Sequence, residues 1–205
     1  MGKIKLTKGE LKRQRDALKQ YQRYLPTLQL KKQQLQIEIL YQVSLLEQKK
    51  REEEVKHKTI DAWAGLLLEQ PADFKKWIKP QRIITGLRNI AGVNLPVFEA
   101  AEFDLAEYDL FYAPLWVDAA IIALQGWISL REEITIIEKG IGILRQELRI
   151  TTQRVNLFEK VKIPESEEAI RAIKIYIGDQ MANAVGRSKI AKNKIEMLEL
   201  AEVFA

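Results

Sequence analysis

The chain has 205 residues, a formal net charge of +5, 47% hydrophobic and 30% charged residues, and no cysteine. High charge beside abundant apolar residues suits long exposed helices better than a globule. The missing cysteines exclude disulfide scaffolds and thiolate metal sites.

Residues 1–15 are basic and no apolar stretch follows them, so no secretory leader is expected. Thr7 with Glu10 three residues on is a capping box for a first helix, predicted to run to about Gln70. Its leucines recur at Leu11, Leu18, Leu25, Leu28, Leu35, Ile39 and Leu46, the spacing of a coiled-coil seam. Pro26 lies inside that pattern, where a kink is expected. In the charged run 49–58, Glu52 with Lys56 and Glu54 with Lys58 have the order of stabilising i,i+4 pairs. His57 is the sole histidine and reads as a solvated imidazole.

Periodicity stops near Gln70-Pro71, and Pro71, Pro80, Pro96 and Pro114 punctuate the middle. Two short strands are predicted at 83–93 and 96–103, with Asn94-Leu95-Pro96 as the turn between them. An acidic connection, 104–112, follows. Residues 110–128 approach the length of a membrane span, but Pro114 and Asp118 argue for a buried segment instead. The four tryptophans, 63, 77, 116 and 127, read chiefly as core anchors of this central region.

The return helix carries Ile134, Ile137, Ile141, Leu144, Leu148, Thr151, Val155 and Phe158, alternating steps of three and four. A seam sustained this long calls for a partner helix of the same period. Gly140 and Gly142 lie within it and imply close helix approach or local flexibility. A second kink is expected at Pro164, after which Ile170, Ile173, Ile177, Met181, Ile195, Leu198 and Ala201 continue the apolar face. The expected fold is therefore mainly α: a long antiparallel two-helix coiled coil made by the N- and C-terminal helices, with a small central head containing a short β-hairpin. The expected divisions are 1–70 for the first shaft helix, 71–114 for the head and 115–205 for the return helix, all one elongated domain.

Charge is segregated. Ten basic residues face only Glu10 and Asp16 in the first 32 positions, and Arg187, Lys189, Lys192 and Lys194 form a second basic group. No basic residue lies between Arg88 and Arg131. In a hairpin the two basic groups would meet at one tip, giving ends with different partner preferences. Basic side chains on a helix can hold phosphates, but only Tyr21 and Tyr24 are interleaved with them, and no nucleic-acid partner is expected. No phosphate loop, dinucleotide fingerprint or metal-ligand spacing occurs, so no catalytic site, metal or cofactor is expected.

Arg154-Val155-Asn156-Leu157-Phe158-Glu159, followed by Val161-Lys162-Ile163-Pro164, is similar to an RVN-x-x-E…IP pattern, and Ile90–Pro96 to a short GV-x-x-P strand turn. Together with the looser Leu6-Thr7-Lys8 and leucine repeats, these resemble the D subunits of the V-type and A-type ATPases (ATP synthases), the central rotor-stalk family, over essentially the whole chain. Residues 23–32 depart from that family's usual glycine-containing basic segment. The resemblance implies an axle that transmits torque between ATP turnover and proton or sodium-ion movement, with the chemistry performed elsewhere. Implied partners are the catalytic A and B subunits, the small F subunit of the stalk and a funnel-shaped subunit (d/C) over the membrane ring. The implied location is cytoplasmic and membrane-peripheral, without direct membrane insertion. Charge clustering then assigns Lys12, Arg13, Arg15, Arg187, Lys189 and Lys192 to the catalytic ring. Ile83, Val93, Val97 and Phe98 are assigned to the F subunit. A generic antiparallel coiled-coil scaffold is the alternative reading.

Overall fold

The computed structural model describes residues 5–69, 74–106 and 113–203. Helix α1 spans Lys8–Asp61 and is followed by a 3-10 turn at Ala64–Glu69 and the short helix α2 at Phe74–Ile78. Strands β1, Pro80–Ile90, and β2, Val93–Phe103, form a two-stranded antiparallel sheet. Helix α3, Val117–Leu157, runs through a π-turn at Phe158–Lys162 into α4, Ile163–Val203. The fold is thus mainly helical, with a β-hairpin in the middle, as the sequence leads one to expect. Contacts group the chain into residues 1–29 with 153–205, and residues 30–152.

Within 30–152, α1 and α3 pair antiparallel. Lys31 Nζ meets Glu147 Oε1 at 2.8 Å, Lys49 meets Glu133 Oε2 at 3.0 Å, and Lys50 meets Glu138 Oε1 at 2.7 Å. Partner numbers fall as α1 numbers rise, which only opposed helices allow. Leu35 and Leu144, both fully buried, close the seam together with Leu95 from β2. A second core gathers Ile60 from α1, Phe74 and Trp77 from α2, and Val117, Ala120, Ile121 and Leu124 from α3. Trp63, Trp116 and Trp127 pack around it, so all four tryptophans serve this core.

α1 ends at Asp61 rather than near Gln70, which lies outside the described residues with Pro71. The cause is the tryptophan core. Trp63 N–H donates to the Ile60 carbonyl and Leu66 N–H to the Trp63 carbonyl, tightening the chain so that Trp63 and Leu67 turn onto the cluster. The capping box is half made: Glu10 N–H donates to Thr7 Oγ1 at 3.3 Å, while the Glu10 carboxylate takes Gln14 Nε2 at 2.8 Å. Lys56 does not pair with Glu52; its Nζ donates to the Gly126 carbonyl at 3.3 Å. Pro26 is contained within α1.

The hairpin turns at Ala91-Gly92, not at Asn94–Pro96. Both residues have positive φ, 51° and 77°, as a two-residue primed turn requires. Asn89 Oδ1 accepts the Gly92 N–H at 3.2 Å, and Asn89 Nδ2 donates to Asn94 Oδ1 at 2.6 Å. Pro96 is inside β2 opposite Leu87, tolerable because the sheet has only two strands and each has a free edge. Register shifts at Gln81 and Glu99 bend the ribbon. Ile90, Ala91 and Val93 pack on the Leu35–Leu95–Leu144 cluster, which holds the turn against the helix pair.

Candidate functional site

Among the described residues, no group of three or more ligating side chains could hold a metal, and no helix is long and apolar enough to cross a membrane. His57 Nδ1 lies 2.8 Å from Asp61 Oδ2 and both are exposed. The groove between the hairpin and the helix pair is lined by Tyr41, Gln42, Arg88, Pro96, Phe98 and Glu133, a shallow mixed surface with no base beside a nucleophile. The exposed apolar and basic side chains are the more prominent features.

The first surface is the far part of α4. In the unit 1–29 with 153–205, the Tyr21 ring lies 5.2 Å from that of Phe158, centroid to centroid. Opposed helices in that register bring the start of α1, Lys8, level with roughly residue 171, counting one residue against one. Ile170 and Ile173 are buried, Ile177 is half-buried, and residues 178–197 are exposed throughout. α1 has run out of length to cover them. The bare stretch is about 30 Å long at 1.5 Å per residue. It presents Met181, Val185, Ile190, Ile195 and Met197 (72% exposed) among Arg187, Lys189, Lys192 and Lys194. Apolar side chains with basic neighbours on an uncovered helix are a docking surface by composition.

Lys12, Arg13 and Arg15 are also exposed, but they do not meet Arg187, Lys189 and Lys192. The same register sets them level with the start of α4, beside Glu165, Glu167 and Glu168, while the second basic group lies about 30 Å further along. The expectation of one shared basic tip therefore gives way to two separated basic patches. The difference is simple length: α4 reaches Val203, whereas α1 begins at Lys8.

The hairpin is the second surface. Its register divides the four candidate residues between two faces. Val93 and Val97 share the face of Ile90 and Leu95, and Val93 packs into the helix-facing cluster. Ile83 and Phe98 share the other face with Thr85, Leu87 and Pro96. Leu87, 77% exposed, is the most open apolar side chain of the sheet and went unnoticed in the sequence. Strict alternation after the β1 isoleucines would have marked it. A third apolar strip lies on α1 away from its seam, with Leu30, Ile37, Leu40 and Tyr41 all exposed.

The electrostatics are local. Lys49 has its pKa raised by a hydrogen bond to Glu133, against the opposing effect of burial, with the charges of Glu133 and Glu52 adding to the rise. Arg131 lies over the Trp127 ring at 5.6 Å. The first contact joins α1 to α3 and the second lies within α3.

The fold is mainly helical, with opposed helices braced by a β-hairpin in 30–152 and apolar side chains left exposed on α1, the hairpin and α4. The family model described as the D subunit of ATP synthase matches residues 10–193. The V-type ATP synthase D subunit of Borreliella burgdorferi is 46% identical over 200 residues, 95% of this chain and 96% of that protein. The Chlamydia pneumoniae protein of the same name is 33% identical over 196 residues, covering 95% of this chain and 94% of its own. This chain belongs to the family of ATP synthase D subunits.

Proposed function

We propose that this chain is the central rotor stalk of a V/A-type rotary ATPase or ATP synthase. In that role it makes and breaks no bond. It carries torque between nucleotide turnover in a ring of A and B subunits and ion translocation in the membrane sector, as a peripheral part of the complex. The observation that carries the reading is the bare end of α4: residues 178–197 expose apolar and basic side chains with nothing among the described residues to cover them. Most helical stability in proteins comes from packing of an apolar face, so this uncovered stretch makes sense against surfaces supplied by other subunits.

Arg187, Lys189 and Lys192 then face the inner wall of the catalytic ring, and Lys12, Arg13 and Arg15 stand lower, towards its opening. The exposed hairpin side chains Ile83, Leu87 and Val97 are placed against the small F subunit of the stalk, with the half-buried Phe98 beside them, while Val93 steadies the hairpin from within. The tryptophan core end is placed towards the membrane-side funnel. ATP chemistry stays in the A subunits.

The test is co-purification with the A, B and F subunits of the same genome, followed by ATPase assay. A chain truncated after Asp179 should keep its F partner but lose the ring and its effect on turnover. If the truncated chain entered the ring and altered turnover as the full chain does, the assignment of α4 would fall. A full chain that bound none of these subunits would favour the scaffold reading.

A further inference from the structure

The return helix carries one residue more than its seam needs. On α1 the half-buried or buried positions include 11, 14, 18, 21, 25, 28, 32, 35, 39, 42, 46, 49 and 53, unbroken steps of three and four. On the return helix the matching positions, from Ile134 to Phe158, keep the same rule. The next buried residues are Ser166, Ala169, Ile170 and Ile173. Between them and Phe158 only Lys162, Ile163 and Glu165 are half-buried, and Phe158 to the fully buried Ser166 is eight residues, whereas one step of three and one of four make seven. The π-turn at Phe158–Lys162 holds the difference: the Ile163 N–H reaches back five residues to the Phe158 carbonyl.

We propose that this π-turn is a register shifter, which lets two heptad-packed stretches of one helix share the unbroken seam of α1, and that the return helix opens there first. Three further observations support a weak point. No residue from 156 to 165 is fully buried; Phe158, Lys162, Ile163 and Glu165 are half-buried, so packing is thinner here than at Val155 or Ser166. Pro164 offers no N–H to the turn before it. On α1, Pro26 likewise leaves the Gln22 carbonyl without its helical donor, about one and a half turns along from Tyr21, which touches Phe158. Few buried contacts and an interrupted backbone ladder are what local opening requires.

A one-residue insertion in a coiled coil normally throws the seam out of phase. Here the extra residue is already present, so removing it should help. The test uses the full chain and four forms: wild type; Val161 deleted together with Pro164→Ala; Pro164→Ala alone; and Lys139 deleted as a control within an unshifted heptad. Thermal unfolding and amide hydrogen exchange are read on each. In the wild type, amides of 159–165 should exchange about tenfold or more faster than those of 148–155 and 169–173. The Val161 deletion with Pro164→Ala should raise Tm and erase that contrast, whereas the Lys139 deletion should lower Tm. Pro164→Ala alone should keep the contrast, because the seam still has its extra residue. Uniform protection in the wild type would overturn the weak point. A Val161-deleted form that is destabilised or unfolded, or a contrast abolished by Pro164→Ala alone, would overturn the register shifter.

Discussion

The helix pair of 30–152 and the end of α4 use the same kind of sequence, apolar residues at helical spacing amid charge, with opposite results. In the first, Leu35 and Leu144 are 0% exposed and Leu95 of the hairpin closes over them. In the second, Met181, Val185, Ile190 and Ile195 stand in solvent. Side-chain pattern states that a helix wants a partner; only the length of the opposing helix states whether the chain itself provides one.

The contrast breaks most visibly under truncation of side chains. Leu144→Ala should cost about 2–5 kcal/mol in urea unfolding, because it empties a fully buried site touching Leu35 and Leu95. Ile195→Ala should stay within about 0.5 kcal/mol of wild type. A comparable loss at both positions would mean that the end of α4 is covered within the chain after all.

Glycine sharpens the comparison next. A Cβ built at Gly142 meets nothing within 4 Å, so close approach of another helix does not explain it. Gly142→Ala should raise stability by about 1 kcal/mol, read as a higher urea midpoint. At the hairpin turn the relation reverses. Ala91 holds φ 51°, a conformation that burdens any residue with a Cβ. Ala91→Gly should therefore stabilise the chain by about 0.5 kcal/mol, the relief of strain outweighing the lost methyl and the freer unfolded chain.

The smallest effect is electrostatic. Lys49 bonded to Glu133 has its pKa raised above the ordinary 10.5. Its folded value exceeds its unfolded value, so its stabilisation is complete below 10.5 and disappears as pH rises through the raised value. Unfolding followed from about pH 9 to about pH 12 should show a loss above 10.5 that Lys49→Gln reduces. The pair is partly solvated, and the difference should be under about 1 kcal/mol. Among the described residues no such pair braces 178–197, where Lys192 meets Glu196 of its own helix at 3.5 Å.

Several elements were legible because local chemistry dictates them. The leucine and isoleucine seams follow from a period that only helices in contact satisfy, and the mainly helical fold with a central hairpin follows from where that period stops. The polar seam members, Gln14, Tyr21, Lys32, Gln42 and Lys49, were not legible, since their burial comes from lying opposite another helix. The hairpin turn was misplaced because Asn94-Leu95-Pro96 has turn composition, while Ala91 carries a Cβ that disfavours the positive φ its turn requires. That Val93 shares a face with Leu95 is visible only in the register.

The sequence by itself determined the helical class and the family, through the Arg154–Pro164 and Ile90–Pro96 patterns. Periodicity and short motifs are properties of neighbouring residues, and they survive without coordinates. Tertiary structure alone decided that the basic groups stand apart, that the tryptophans form one core, and that residues 178–197 are left uncovered. Those outcomes depend on how far one helix outruns another and on which face of a ribbon meets the core. They are sums over distant residues, which no local pattern records.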